Sequence, residues 1–304
     1  SLLGGARVDR HQKHGLIFSP RVNLRYKPTT FSTLRATAGT GFRTVNIFTE
    51  EHAALTGART VVLEGTLAPE RSVNVNANYN QIFNIGESAA TFDVDGFYSH
   101  FYNKIFPDYN TDPNKIIYRN LDGYSTIKGV SWKYSQSFKF PFRAELGGTF
   151  MKVQVIEADG SKRLQEFAPV YQSTFNLSYT NHRLRTTFDY SGKIVGPMQL
   201  PVYDAPFERP SVSPWFTEQN VQASRNFGKT LTLKLGVRNV FNYRQSSPLV
   251  NPQDPFSDSF DTAYAYGPLQ GRRLVFGMIW KLDADKKHEG LSLIHISEPT
   301  RPLY

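Results

Sequence analysis

Apolar and polar residues alternate with period two along most of the chain, the pattern of a strand with one face wet and one face dry. Between Phe18 and Tyr26 one side is Phe18, Pro20, Val22, Leu24 and Tyr26, and the other is Ser19, Arg21, Asn23 and Arg25. Val73, Val75, Ala77 and Tyr79 alternate with Ser72, Asn74, Asn76, Asn78 and Asn80. Leu231, Leu233, Leu235 and Val237 repeat the pattern, and Leu274, Phe276, Met278, Trp280 and Leu282 close it. No segment carries convincing helical spacing, so the pattern predicts an all-β chain. About twelve strands are expected, at 2–9, 16–27, 31–41, 68–83, 90–104, 118–138, 141–155, 166–180, 183–193, 214–227, 229–241 and 271–282. Many exceed the about 5–6 residues usual in soluble sheets and approach the about 9–11 that cross a bilayer at a tilt.

The connections sharpen the class. Short turns are expected at Lys27-Pro28-Thr29-Thr30, Asn84 to Ser88, Lys139-Phe140, Thr180-Asn181-His182 and Gly228-Lys229. Between them fall longer joins at 42–67, 105–117, 156–165, 194–213 and 242–270. One end of the sheet is therefore trimmed and the other elaborate, as in outer-membrane barrels with short periplasmic turns and long extracellular loops. Aromatic residues gather beside the short turns, at Tyr26, Phe31, Phe83, Phe138, Phe140, Tyr179 and Phe227, where a barrel carries its interfacial girdle. Arg21, Arg25, Asp93, Asp95, Arg143, Glu145, Arg183, Arg185, Asp189, Lys234 and Arg238 fall on the polar strand faces. Burying that many charges in a sandwich core would cost several kcal/mol each unless paired, whereas a wet lumen accommodates them. The fold expected is a transmembrane antiparallel β-barrel.

Composition is compatible with this. Only alternate residues of such a wall face lipid, so a hydrophobic fraction of 39% and a mildly negative mean hydropathy do not argue against a membrane. No run of about 18 apolar residues exists, which excludes a spanning helix. With no cysteine, disulfides and thiolate metal sites are unavailable. The net charge of +9 invites a nucleic-acid reading, but the basic residues are scattered and no recognition helix carries them. Nucleic acid is not expected as a partner. The first residues, SLLGGARVDR, lack a signal peptide's basic and apolar regions.

Several stretches resemble TonB-dependent outer-membrane receptors. GARVDRHQKHGLIFSPRVNLRYKP resembles the mid-barrel segment in which a G-x-R-x-D strand leads into an "SPR" strand and a "Y-x-P" turn. AGTGFRTVNIFTE resembles the family's G-x-G-F-R-x-P-x-x-x-E segment through Gly39, Gly41, Phe42 and Arg43, with Glu50 nearest its glutamate and Val45 replacing its proline. LAPERSVNVNANY matches L-x-P-E-x-S at Leu67, Pro69, Glu70 and Ser72, and LGVRNVFN resembles the penultimate strand's G-V-x-N-L-F-N. GPLQGRRLVFGMIWKL resembles the closing strand. The order is the family's own over residues 2 to 282, with wording nearest the Bacteroidetes type. The resemblance implies an N-terminal plug inside a 22-stranded barrel, energised through TonB. Neither plug nor TonB box is visible, so residues 1–282 are expected to be a partial barrel of about twelve strands, beginning near strand eleven. Residues 283–290 read as a polar tail, and 291–304 (LSLIHISEPTRPLY) resemble a translated sequencing adaptor, a non-native scar outside the fold.

Candidate chemistry concentrates in the long joins. Phe42, Arg43, His52, Arg59, Tyr109, Tyr203, Arg209, Tyr243, Arg244, Tyr264 and Tyr266 are the expected ligand-binding residues, with Phe207 and Phe256 in the same joins. Aromatic rings and guanidinium groups suit a flat anionic or catecholate-like ligand through stacking and charge-assisted bonds. No Ser/His or Asp/His constellation and no phosphate-loop lysine assembles, so no catalytic residue, metal ligand or cofactor is expected. His11 and His14, three apart in a non-helical loop, make a poor ligand pair. Gly39 and Gly41 follow a half-exposed strand and lack the Gly-Lys-Ser/Thr of a nucleotide loop, so they are expected to bend the strand at the rim and turn Phe42 and Arg43 towards a ligand vestibule. The function expected is active import of a scarce nutrient, a ferric siderophore favoured, with the TonB system, outer-membrane lipid and a small-molecule or metal-chelate ligand as partners. The alternatives are a complete small outer-membrane barrel, as a pore or hydrolase, and a soluble all-β binding module.

Overall fold

The computed structural model describes residues 1–44, 60–108, 111–112, 115–228, 230–257 and 259–281. In chain order the strands are β1 (Leu2–His11), β2 (Gly15–Tyr26), β3 (Ser32–Arg43), β4 (Thr60–Leu63), β5 (Glu70–Ile85), β6 (Ser88–Tyr102), β7 (Ile105–Asp108), β8 (Lys115–Asn120), β9 (Gly123–Ser137), β10 (Phe142–Glu157), β11 (Lys162–Leu164), β12 (Tyr171–Asn181), β13 (Thr186–Val195), β14 (Phe216–Phe227), β15 (Leu231–Arg238) and β16 (Arg273–Trp280). The long strands form one antiparallel meander, β1-β2-β3-β5-β6-β9-β10-β12-β13-β14-β15-β16, with β11 hydrogen-bonded to β10. β4, β8 and β7 form a separate small sheet inside the long joins.

All twelve expected strands are present, with corrected limits. The expected strand 118–138 is two strands: the chain breaks around Leu121-Asp122, and β9 begins at Gly123 with φ +155°. A side chain at Gly123 would meet the Ile156 carbonyl oxygen at 2.1 Å. Arg183 and Arg185 lie in the β12–β13 turn, not on a strand face; Arg185 adopts φ 50°, which ends the ladder there. The strict alternation of loop lengths also has one exception, because the β1–β2 turn at 12–14 is short yet lies at the long-loop rim. Leu282, the tail 283–290 and the segment 291–304 lie outside the described residues.

Register carries the alternation across the whole sheet. Cross-strand partners share a face, so Val22, Ala38 and Val75 align with Tyr98, and Leu146, Phe175 and Gly192 continue the same side. Val221 and Val237 lead to Leu274 at the far edge. Among the described residues this apolar side has no protein cover: Leu274 is 81% exposed, Phe276 69% and Phe150 59%. So large a continuous apolar surface needs a non-aqueous neighbour. The opposite side is a hydrogen-bonded polar wall. Arg35 donates to Asn78 Oδ1 at 2.9 Å, Asn80 Nδ2 donates to Asp93 Oδ2 at 2.7 Å, and Ser178 donates to Asp189 Oδ1 at 2.7 Å. At the short-turn rim Phe138, Phe140 and Phe142 pack with centroids 5.2 to 5.7 Å apart. The buried hydrophobic clusters lie at the long-join end, one within the small sheet and the other packed on the ends of β13 and β14 through Val195 and Phe216.

Candidate functional site

The long-loop rim holds two packed bodies above the polar wall. The first is built from the β3–β5, β6–β9 and β10–β12 joins. Ile105, Ile116 and Tyr118 form its apolar centre, with Val61 and Leu67 against them. Around that centre runs an ionic network. Glu70, buried at the start of β5, accepts from Arg43 Nε at 2.7 Å and from the Ile105 amide at 2.9 Å. Lys104 donates to Gln165 Oε1. Burial pulls the Lys104 ammonium below its usual range, Glu70 opposes, and Arg43 and Arg163 add to the shift. Arg163 stacks 4.3 Å over the Phe106 ring and donates to Glu157 Oε1 at 3.2 Å. Burial raises the Glu166 carboxyl, with Arg163 opposing and Asp108 reinforcing.

The second body joins residues 196–215 to 239–272. Val195, Met198, Leu200, Phe216, Val250 and Tyr264 are its core. Asn239, in the GVRNVFN motif, ends β15 with φ 51° and is buried. Its side chain donates to the Tyr243 carbonyl at 2.7 Å and accepts from the Tyr243 amide at 3.0 Å, folding the join back over the strand end. Gln245 fixes the opposite limb, donating to the Tyr264 carbonyl and accepting from the Tyr266 and Gly267 amides. The two bodies meet where the Phe167 amide donates to the Gln199 carbonyl at 2.8 Å and the Val170 amide to the Pro197 carbonyl at 3.0 Å.

Of the expected ligand-binding residues, the second body gathers Tyr203, Arg209, Tyr243, Tyr264 and Tyr266. Tyr203 Oη donates to Asp261 Oδ2 at 2.7 Å, and Tyr264 Oη to the Pro210 carbonyl at 2.8 Å. Arg209 donates to the Leu249 and Ser247 carbonyls and lies 5.0 Å over the Tyr264 ring. Tyr243 stacks on Phe216 at 5.2 Å, and burial with Tyr266 beside it pushes its phenol up to about 12. Tyr264 is raised by burial first, then by Tyr266, against Arg209. Tyr243 and Tyr266 are only half-buried, and Arg244 is exposed beside Gly271, whose missing side chain leaves Arg244 Cδ 3.1 Å from where a Cβ would stand.

Phe42 and Arg43 diverge. Being adjacent on a regular strand, Arg43 faces inward against Glu70 while Phe42 turns to the apolar side opposite Arg71. Gly39 and Gly41 do not bend β3; the ladder to β5 is unbroken through both. They make room instead, since a Cβ on Gly41 would lie 3.0 Å from Ser72 Oγ and one on Gly39 3.2 Å from Arg21. His52, Arg59 and Tyr109 lie outside the described residues. The His11 and His14 rings stack at 4.7 Å, and among the described residues no group of three or more His, Asp or Glu side chains converges. Sequence reasoning missed Lys104, Arg163, Gln165 and Glu166; only Glu70 and Asn239 carried a signal, as motif positions.

The family model for the TonB dependent receptor-like β-barrel matches residues 1–240. No curated protein sequence matches the chain. Solved structures with the same fold include the FrpB iron transporter from Neisseria meningitidis, at TM-score 0.63 and 17% identity over 92% of this chain and 42% of that one. The ferric enterobactin receptor mutant R480A from Pseudomonas aeruginosa, in complex with enterobactin, superposes at TM-score 0.67 and 17% identity over 92% and 43%. The ferripyoverdine receptor of the Pseudomonas aeruginosa outer membrane gives TM-score 0.61 and 18% identity over 88% and 34%. The chain thus spans less than half the length of these structures, and at such identities they establish the fold alone. With an uninterrupted antiparallel meander, one uncovered apolar face and a family match over most of its length, the chain belongs to the TonB-dependent receptors and forms part of their outer-membrane β-barrel.

Proposed function

We propose that residues 1–282 are the ligand-binding wall and loop rim of a receptor that imports a ferric siderophore, with energy delivered through TonB to a plug carried elsewhere in the protein. No bond is broken in this reading; the chain binds and releases. The observation that carries it is the gathering of Tyr203, Arg209, Tyr243, Tyr264 and Tyr266 in one folded loop body at the rim above a polar wall. Within that body the roles divide. Tyr203, Tyr264 and Arg209 spend their polar atoms on the loops and act as braces. Arg244, exposed, and the half-buried Tyr243 and Tyr266 remain to meet a flat anionic chelate by stacking and charge. Enterobactin and ferripyoverdine occupy two of the structures that share this fold, which supports an iron chelate over other nutrients. Residues 283–290 and 291–304 fall outside this reading, as a polar tail and a scar.

The test is radio-iron uptake by cells whose other siderophore receptors are deleted and which express the complete receptor containing this chain. Ferric catecholate should be taken up in a TonB-dependent manner. Arg244→Ala with Tyr266→Ala should weaken binding about tenfold, or about 1.4 kcal/mol, with the barrel still assembled. Uptake unchanged by loss of TonB, or no uptake of any ferric chelate, would overturn the reading.

A further inference from the structure

Among the described residues, the wall parts between β2 and β3 before it reaches the long-loop rim. β2 starts at Gly15 and β3 ends at Arg43, yet the ladder between them covers only 21–26 and 34–39. Neither strand is frayed beyond that point: β2 stays paired with β1 down to Gly15, and β3 with β5 up to Arg43. The sequence supplies the cause. Arg25 and Ser1 exchange both backbone hydrogen bonds at 2.8 Å, so the odd residues of β2 aim their amides at β1 and the even ones at β3. Pro20 is even, and the N–H it lacks is the next rung of the β3 ladder. Had the register continued, Phe18 would oppose Phe42 and Ser19 would oppose Gly41; instead the β1–β2 hairpin diverges from β3. Ile17, on the hairpin's inner side, is only 3% exposed, so packing holds the hairpin in this position.

A cavity of about 630 Å³ lies at the parted seam, within the about 300–1,000 Å³ usual for small-molecule sites. Its lining changes across the wall. Leu16, Phe18, Phe42 and Val73 belong to the uncovered apolar face, and Leu16 and Phe18 are exposed there. Ser19, Gly41 and Ser72 belong to the polar wall. Arg71, at the loop end of β5, also lines the cavity; it is exposed and has no carboxylate partner among the described residues. The opening is thus apolar towards lipid, polar towards the lumen and cationic near the rim. A compound with a hydrocarbon tail and an anionic head fits all three. An unbroken wall would drag such a tail through water as its head moved inside, at a cost that grows with each methylene group. A parted seam lets the head pass while the tail stays in apolar surroundings. A membrane lipid would need only the outward half.

We propose that the seam between β2 and β3 is a side portal, through which an amphiphilic chelate with a hydrocarbon tail and an anionic iron-binding head passes from the outer leaflet to the loop rim. The tail lies against Leu16, Phe18, Phe42 and Val73, Arg71 meets the head through charge-assisted hydrogen bonds, and Pro20 keeps the seam open. The portal rests on the import reading and narrows the kind of chelate imported.

The experiment compares uptake of radio-iron on a ferric catecholate with and without a dodecanoyl tail, by cells expressing the complete receptor and no other siderophore receptor. Ser19→Cys with Gly41→Cys creates a non-hydrogen-bonded pair whose disulfide forms only when the seam is shut, in a chain without native cysteine. Oxidised, this variant should import the plain chelate as the wild type does and the acylated one about tenfold less, and reductant should restore the difference. Equal uptake of both by the locked receptor overturns the proposal. So does equal loss of both, since the seam would then serve the barrel and not a tail, and so does wild-type uptake of the plain chelate alone. If the disulfide does not form, Phe18→Asp decides: a carboxylate in the apolar half should lower uptake of the acylated chelate only, and unchanged uptake overturns the portal. If the wild type imports neither chelate, the import reading fails and binding is read separately, on the complete receptor in phosphatidylcholine vesicles. There the acylated chelate should shield a Phe18→Cys thiol from maleimide and the plain one should not. Shielding by the vesicle lipid with no chelate added would assign the groove to membrane lipid and overturn the proposal.

Discussion

Glu166 sits where one side chain can couple the two loop bodies to pH. It lies in the segment whose neighbours Phe167 and Val170 hold the second body through Gln199 and Pro197. Its carboxyl is raised by burial, so the folded rim holds the proton more tightly than an unfolded chain does. Its stabilising contribution is therefore full below the ordinary carboxylate range and is lost as pH rises through the raised value. Amide exchange at Phe167 and Val170, corrected for intrinsic rates, should slow on going from about pH 7 to about pH 5, and Glu166→Gln should remove that dependence. A variant with the wild-type slope would rule Glu166 out as the titrating group. The residue scale is also where sequence was least informative. Tyr264 and Arg209 were legible as ring and charge, yet their partners are Pro210 and Leu249, 54 and 40 residues away along the chain. No local pattern announces such a contact.

At the scale of the strand, alternation gave the elements and glycine decided their fit. Gly129, Gly148 and Gly192 are each directly opposed to a ring, Phe97, Trp132 and Phe175, which folds over the space a side chain would fill. At Gly129 a Cβ would lie 2.3 Å from the Phe150 carbonyl oxygen and 2.7 Å from Phe97. Backbone cannot yield as a flexible side chain can, so Gly129→Val should destabilise the β6-β9-β10 region by about 1–3 kcal/mol, read as a lower urea midpoint in detergent. An unchanged midpoint would mean that β9 shifts freely. Strand existence was legible because period two persists over a dozen residues at a time. The breaks at Gly123 and Asn239 were not, since each depends on a left-handed or extended-glycine backbone imposed by contacts with Ile156 and Tyr243.

At the scale of the molecule, β1 and β16 stand at opposite ends of an open sheet, each hydrogen-bonded on one side among the described residues. Unpaired edges of this length invite pairing with other chains. The 304-residue chain expressed alone should aggregate or fail to insert into lipid vesicles, as judged by sedimentation and protease protection; cooperative insertion as a heat-modifiable monomer would show that it closes by itself. The sequence alone determined the all-β class, the two-faced wall, the asymmetry of its rims and the family resemblance, because each of these is written in residue order and period. Only the tertiary structure decided which rim side chains are braces, and that Phe42 faces out while Arg43 faces in. Those outcomes depend on register, and register sets which distant residues share a face.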